Sequence, residues 1–508
     1  MLHPGLPQTW SAIAALAMFA IAVWSLLAPL PRTTASGAID LAAVPVVGAV
    51  VRFINRSPYP LLGMKLVSVA VFVLLIVAGV FGTSYPERNL ATAFVWNLWW
   101  PLVVVSVLFL GTAWCAICPW DALANWIVRH RWWLRADPHP GLNLRVPRYL
   151  HNVWLALLMF LALTWFEIGF GITTLPVATA VMALAMLVLS AGFLLVFERK
   201  AFCRYACPVG RTLGYYARLA PVAVRPITQA TCDSCKTLDC YNGSRDIEPC
   251  PTHLVVGRFS ENTFCLSCGN CVQSCPHRNV TWWLRSPGSE ARDLARPQWD
   301  GAWFMLALLG ITTFHGLTMM PFWGEWVAAI ARVIGESGRP LAGFTLGMIG
   351  SFALPVLIYG ACVGALHLPA RNASSYKALF AAFSFAALPL AFAYHLAHNL
   401  DHLSRESIDA FSLLLNPLGG GAGPRTMAEV HEQMMAPLIP DEVMFTVQAA
   451  LMVLGFWLAV QIVRHRGRDQ LIEGAALRGW RLAPMLAFIA AITAMNLWLM
   501  AQDMEMRF

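Results

Sequence analysis

Twelve of the thirteen cysteines in this chain fall into groups whose spacing suits iron. Cys265, Cys268 and Cys271, followed by Cys275 and Pro276, form a C-x2-C-x2-C-x3-C-P run. In such a run three thiolates hold one cubane, while the fourth, turned away at the proline, reaches a second. Cys232, Cys235, Cys240 and Cys250 with Pro251 repeat the logic at looser spacing. The crossed rule therefore assigns Cys232, Cys235, Cys240 and Cys275 to one [4Fe–4S] cluster, and Cys265, Cys268, Cys271 and Cys250 to another. Structural zinc and disulfides compete for the same residues. Zinc sites rarely carry this run with its trailing proline, however, and a cytoplasmic loop is kept reducing.

Four further cysteines lie beside apolar runs. Cys115 and Cys118 precede Pro119, and Cys203 and Cys207 precede Pro208, each pair where a span ends at the cytoplasmic edge of the bilayer. Together they could hold a third cluster or a metal, or act as redox thiols, with Arg199, Lys200, Arg204 and Arg211 stabilising the negative charge. Alternatively, Cys-Pro turns only shape helix ends. Cys362 stands alone in a span and reads as packing.

Histidines form the second constellation. His315 lies inside one apolar run, and His395, His398 and His402, at i, i+3 and i+7, share one helix face in another. An ionisable residue within a span is costly and marks function. Imidazoles from two helices at similar depth suit a bis-His haem b, with His315 and His395 as the first pair. With Met319, Met320, His431, Met434 and Met435 the same histidines would suit copper. With Asp401 and Glu167 they could hold a quinol headgroup and take its protons. The structural alternative makes Met319 and Met320 packing residues, and His402 and His431 solvated ones. No residue is assignable as catalytic.

These groups need a scaffold, and composition names it. Apolar residues make up 58% of the chain and charged ones 12%, against roughly 45–50% and 25% in soluble domains. The fold class is thus an all-α polytopic membrane protein of about ten spans, near 9–30, 65–83, 92–114, 151–170, 173–197, 302–322, 342–365, 377–400, 443–463 and 482–502. The first run lacks a basic start and reads as a retained helix, not a cleaved signal. The broken stretch 40–54 reads as interfacial or re-entrant. The net charge of +8 comes from arginines and lysines in loops of one parity: Arg32 to Lys65, Arg129 to Arg148, Arg199 to Arg218, Arg371 with Lys377, and Arg464 to Arg481. Orientation in the bilayer explains them better than nucleic acid does, and it places these loops in the cytoplasm and both termini outside. Three parts follow: residues 1–218 with five spans and both Cys-Pro motifs; 219–300, a small cytoplasmic two-cluster ferredoxin insertion of bacterial type; and 301–508 with the remaining spans and an outer His-rich site.

The sequence FCRYACPVG after a span, the earlier Cys-Pro motif after another, and the double-cluster segment resemble the membrane polyferredoxins of the NapH, NosR and CcoG type. The resemblance covers roughly residues 60–290 and leaves the C-terminal helices to be read alone. In that family both membrane motifs are usually C-x3-C-P; Cys203 and Cys207 fit, while Cys115 and Cys118 are one residue closer. The resemblance implies a bacterial inner-membrane protein that passes electrons between quinol or a cytoplasmic donor and a periplasmic or membrane redox partner, as an electron-transfer subunit of an oxidoreductase system. A second reading is a component that reduces cupric or ferric ions for metal uptake or oxidase assembly. A third is a redox sensor or scaffold without turnover.

Overall fold

Residues with no water to satisfy their backbone must satisfy it internally, and apolar runs of this length do so as helices. The computed structural model describes residues 2–31, 37–57, 59–130, 140–368, 374–471 and 479–505. Of the charges used above for orientation, Arg32, Arg131, Arg135, Arg371 and Arg478 lie outside the described residues. In chain order the principal helices are α1 (Gln8–Leu27), α2 (Val47–Arg56), α3 (Tyr59–Phe81), α4 (Leu90–Leu110), α5 (Pro119–Arg129), α6 (Trp154–Gly169) and α7 (Pro176–Val196). Then follow α8 (Pro208–Tyr216), α9 (Trp299–Leu317), α10 (Pro321–Ile334), α11 (Leu341–His367), α12 (Tyr376–Glu406), α13 (Asp441–Leu471) and α14 (Ala483–Met500).

Each expected span is a helix. Among the described residues eight are long and apolar enough to cross a bilayer, and a ninth is added if α9 and α10, bent by 100°, count as one. Helix α6 has 16 residues, or ~24 Å at 1.5 Å per residue, short of the ~30 Å hydrocarbon core. The stretch 40–54 yields only the ten-residue α2, too short to cross.

Helix α12 is the pillar of the bundle. Within its most apolar window 94% of the residues are buried, against 17–56% for the other spans. Small residues allow this. A Cβ on Gly316 of α9 would stand 1.8 Å from Tyr394 Oη, and one on Gly455 of α13 would stand 2.4 Å from Ala393 Cβ. Both neighbours thus approach α12 closely, as in other tightly packed membrane helices.

Five short strands complete the fold. β1 (Leu2–His3) pairs antiparallel with β5 (Met504–Glu505), and Glu505 N–H donates to Met319 O at 2.8 Å. Both chain ends thus meet the end of α9, at the end of the bundle away from the insertion. β2 (Ile39–Asp40), β3 (Val222–Pro226) and β4 (Val280–Leu284) form an antiparallel sheet in the order β2-β4-β3, with Val222 opposite Leu284 and Pro226 opposite Val280. The 219–300 insertion is therefore joined by an N-terminal strand. Thr281 Oγ1 donates to Asp40 Oδ1 at 2.7 Å, and Trp282 Nε1 to Asn55 Oδ1 at 3.0 Å.

Candidate iron–sulfur sites and the histidine cavity

In the insertion, β3 and β4 carry two loops that each return through a Cys-Pro turn. One cavity is lined by Cys232, Cys235, Cys240 and Cys275, and a second by Cys250, Cys265, Cys268 and Cys271. These are the two crossed quartets expected from spacing. The crossing is made by two matching turns. After Cys250-Pro251, His253 takes a φ of 58° and Leu254 N–H donates to Cys250 Sγ at 3.3 Å. After Cys275-Pro276, Arg278 takes a φ of 50° and Asn279 N–H donates to Cys275 Sγ at 3.4 Å.

Among the described residues no three Cys, His, Asp or Glu side chains close on a point where a single metal ion could be held. The sulfurs of each quartet surround a space instead, as they must when each binds a different iron of one cubane. Burial pushes Cys265 up to about 12 and raises Cys268 and Cys271. Near the surface, Cys235 is lowered by N–H and O–H donors from Leu238 and Thr237. The buried thiols stay protonated at neutral pH unless iron displaces the proton.

The four membrane-edge cysteines come together. Cys115 lies in a 3-10 turn after α4, with Cys118 as the N-cap of α5; Cys203 lies in a π turn after α7, with Cys207 as the N-cap of α8. The thiols feel one another: Cys115 senses Cys207, Cys118 senses Cys115 and Cys207, and Cys203 senses Cys207 and Cys118. Burial drives Cys115 up to about 12 and raises the other three. Gly210 N–H donates to Cys207 Sγ at 3.2 Å, and both short helices turn their positive N-termini toward the group. Lys200 pairs with Asp121 at 2.6 Å beside it.

Arg211 of α8 bears on what these thiols fit. It is fully buried, the thiols of Cys115, Cys207 and Cys203 are its strongest electrostatic partners, and its Nε and Nη2 have no hydrogen-bond partner. A buried guanidinium with orphaned donors is expensive unless an anion meets it. Four thiolates around a cluster supply that anion, whereas four neutral thiols or two disulfides do not.

Packing joins the three groups. Arg211 Nη1 donates to Thr263 O, and Arg218 donates to Thr263 Oγ1 at 2.7 Å and pairs with Glu261. A Cβ on Gly214 would stand 2.1 Å from Thr263 O, so glycine alone lets α8 approach the loop ahead of Cys265. Cys265 is accordingly within electrostatic reach of Cys115, and Cys240 of Cys271. The three quartets thus follow one another in order from the surface of the insertion to the membrane edge.

Beyond that edge lies a deep cavity. Its inner part is walled by Trp99, Trp120, Phe160, Pro208, Val209 and Ile311. Pro208 is the proline of one Cys-Pro site and Trp120 immediately follows the other. The cavity continues into an outer vestibule through Trp96, Trp100, Glu167, His315, His398 and Asn399, which line both parts. His315 faces His398 (ring centroids 5.6 Å), not the expected His395, and His398 faces His402 (4.6 Å). His402 Nδ1 lies 2.6 Å from Glu406 Oε1. His395 lines the inner part, where its Nδ1 bonds Tyr216 Oη at 3.3 Å and its ring packs beside Trp100. Met319 lines the vestibule, whereas His431 and Met435 are exposed. Of the copper candidates, the side chain of Met434 lies outside the described residues. Sequence reasoning named Arg211 as one of four cations beside these thiols without singling it out, and it missed the four tryptophans as the wall, which no spacing signal marks.

Comparison with known proteins agrees with this geometry. A family described as "4Fe-4S binding domain" matches residues 92–136 and 179–225. Each match contains one apolar helix, one Cys-Pro pair and the short helix after it, so the two halves of the membrane-edge site are copies of one unit. Over 133 residues the chain is 28% identical to "Putative electron transport protein YccM" of Escherichia coli (strain K12), covering 25% of this chain and 35% of that protein. Over 96 residues it is 28% identical to "Ferredoxin-type protein NapH" of Haemophilus influenzae (strain ATCC 51907 / DSM 11121 / KW20 / Rd), covering 17% and 31%. The chain thus spans about a third of the length of these curated relatives. No solved structure matches it significantly. The chain carries a 4Fe-4S binding domain and is related, over that part, to membrane polyferredoxin-type electron transport proteins.

Proposed function

We propose that this protein carries electrons one at a time along the line of three cysteine quartets, between the cytoplasmic face and a redox reaction in the Trp- and His-lined cavity. Two [4Fe–4S] clusters sit in the insertion and a third at the membrane edge, held by Cys115, Cys118, Cys203 and Cys207. When bound, the clusters supply reversible one-electron chemistry. The chain spaces them, shields two of them from water and compensates their charge. The insertion faces the bacterial cytoplasm and the chain ends face outward.

The observation that carries this reading is Arg211, buried with unpaired donors beside thiols that are coupled through Cys265 to the insertion. For the cavity we propose a quinol headgroup as reductant. Glu167, Asn399, His315 and His398 offer hydrogen-bond partners and bases around an apolar, tryptophan-walled space, which is what a polar head on a lipid tail requires. The test is an iron count, an optical spectrum and EPR of the purified protein, before and after adding decylubiquinol. About twelve irons, no Soret band and cluster signals that grow with quinol are expected. About eight irons would remove the third cluster. A Soret band would replace the quinol reading with haem.

A further inference from the structure

We propose that the cavity is also a proton route, connecting the quinol headgroup with water at the end of the bundle opposite the ferredoxin insertion. This inference rests on the quinol reading and adds the side on which protons leave. Quinol oxidation breaks two O–H bonds. Two equivalents of a one-electron acceptor are reduced, two protons are released, and the product is the quinone. The protons need acceptors that lead to water.

The structure supplies them in one direction. Along α12 the row His398, His402 and Glu406 spans eight residues, or ~12 Å, about 40% of the hydrocarbon thickness. Its steps are short: ring centroids at 5.6 Å from His315 to His398 and 4.6 Å from His398 to His402, then 2.6 Å from His402 Nδ1 to Glu406 Oε1. The rings meet edge-on at these separations, and one water between them would carry a proton from ring to ring. Glu167 of α6 faces the same space. The mouth is framed by Glu87 and Arg425, where Arg425 N–H donates to Glu87 Oε1 at 3.2 Å. Asp401 and Arg405 pair with each other at 3.0 Å, and Arg405 also with Asp441, so their charges are engaged beside the row.

Among the described residues the other direction offers no comparable row of titratable side chains. The inner wall toward the thiols is mostly apolar, with Trp120, Phe160, Pro208, Val209 and Ile311; Thr164, Thr212 and Thr312 add hydroxyls but no group that takes up a proton at neutral pH. His395 does bond Tyr216, but behind Tyr216 packs Phe392, at 4.7 Å between centroids. Depth supports the polarity as well: His315 is sixteen residues along α9 from Trp299, ~24 Å from the insertion end. Electrons would thus leave at one end of the bundle and protons at the other.

Full-length protein is reconstituted into vesicles with trapped pH dye, supplied with decylubiquinol, and given ferricyanide outside as an impermeant acceptor. Only molecules whose insertion faces outward are turned over. The expected result is two protons released into the lumen per two electrons, above the protein-free background. His402→Gln and Glu406→Gln should slow this release at least about tenfold, with partial recovery on adding imidazole. Glu406→Asp should retain most of the rate. Cluster signals after dithionite check that each variant is folded. Protons appearing outside, or unchanged lumenal release in both variants, would overturn the route. Clusters that quinol never reduces would instead remove the reading beneath it.

Discussion

Replacing Arg211 by glutamine removes a fully buried cation beside the membrane-edge thiols. One-electron reduction adds a negative charge to the cluster, and a nearby cation favours the reduced form. Its loss should therefore lower the midpoint potential. With roughly 6 Å between the guanidinium and the added charge, and an effective dielectric of about 20, the interaction is about 3 kcal/mol. For one electron that is on the order of 100 mV. Arg211→Lys keeps the charge but loses the planar fork, and should move the potential by less than half as much. The two clusters of the insertion lie farther away and should shift by less than about 30 mV. EPR-monitored redox titration of the purified protein reads all three centres at once. A third signal that does not move in Arg211→Gln, or a shift confined to the insertion clusters, would refute the assignment of the orphaned donors.

Three other outcomes are expected. Cys275→Ser should abolish the cluster held with Cys232, Cys235 and Cys240 and spare the one held with its sequence neighbours Cys265, Cys268 and Cys271; EPR of the residual signal distinguishes the two. Gly214→Ala forces a methyl against Thr263 O and should cost about 1–3 kcal/mol, read as a lower melting temperature together with slower reduction of the insertion clusters by quinol. His253 is held down at about 4 by burial and by the guanidinium groups of Arg199 and Arg204, although Glu198 lies 3.9 Å away. The fold thus prefers the neutral ring. Its contribution is complete above about 6.5 and is lost as pH falls from there toward 4, so His253→Gln should flatten the fall of melting temperature across that window.

How much of this was legible in the sequence differs between elements, for physical reasons. Thiolate geometry is local, so the C-x2-C-x2-C-x3-C-P run fixes both the cluster and the crossing, and the looser quartet follows once the two Cys-Pro turns are recognised as equivalent. Helix periodicity places His398 and His402 on one face. It does not say which of them meets His315, because that depends on the rotation of α12 against α9, set by the contact of Gly316 with Tyr394. Strand β2 has two residues and no alternation to detect; only the edge of β4 defines it. Arg211 sat among several basic residues that satisfy the charge rule for loops, and only its burial separates it from them.

The unequal spacing of the two membrane-edge motifs, two residues between Cys115 and Cys118 but three between Cys203 and Cys207, argues at first against a shared role. Local structure removes the objection. Cys115 stands in a 3-10 turn, Ala113–Ala116, where residues i and i+3 eclipse. Cys203 stands in a π turn, Phe202–Ala206, a wider turn that brings i and i+4 onto the same side. The tighter turn accompanies the shorter spacing and the wider turn the longer one, and in each copy the second cysteine stands just past the turn as the N-cap of a helix opened by proline. Converting one copy to the other's spacing without changing its turn would rotate one thiol out of the quartet. The test is insertion of an alanine between Cys115 and Cys118: it should cost about four irons per protein while leaving both clusters of the insertion intact. Full iron in that variant would mean that the quartet does not act as one site.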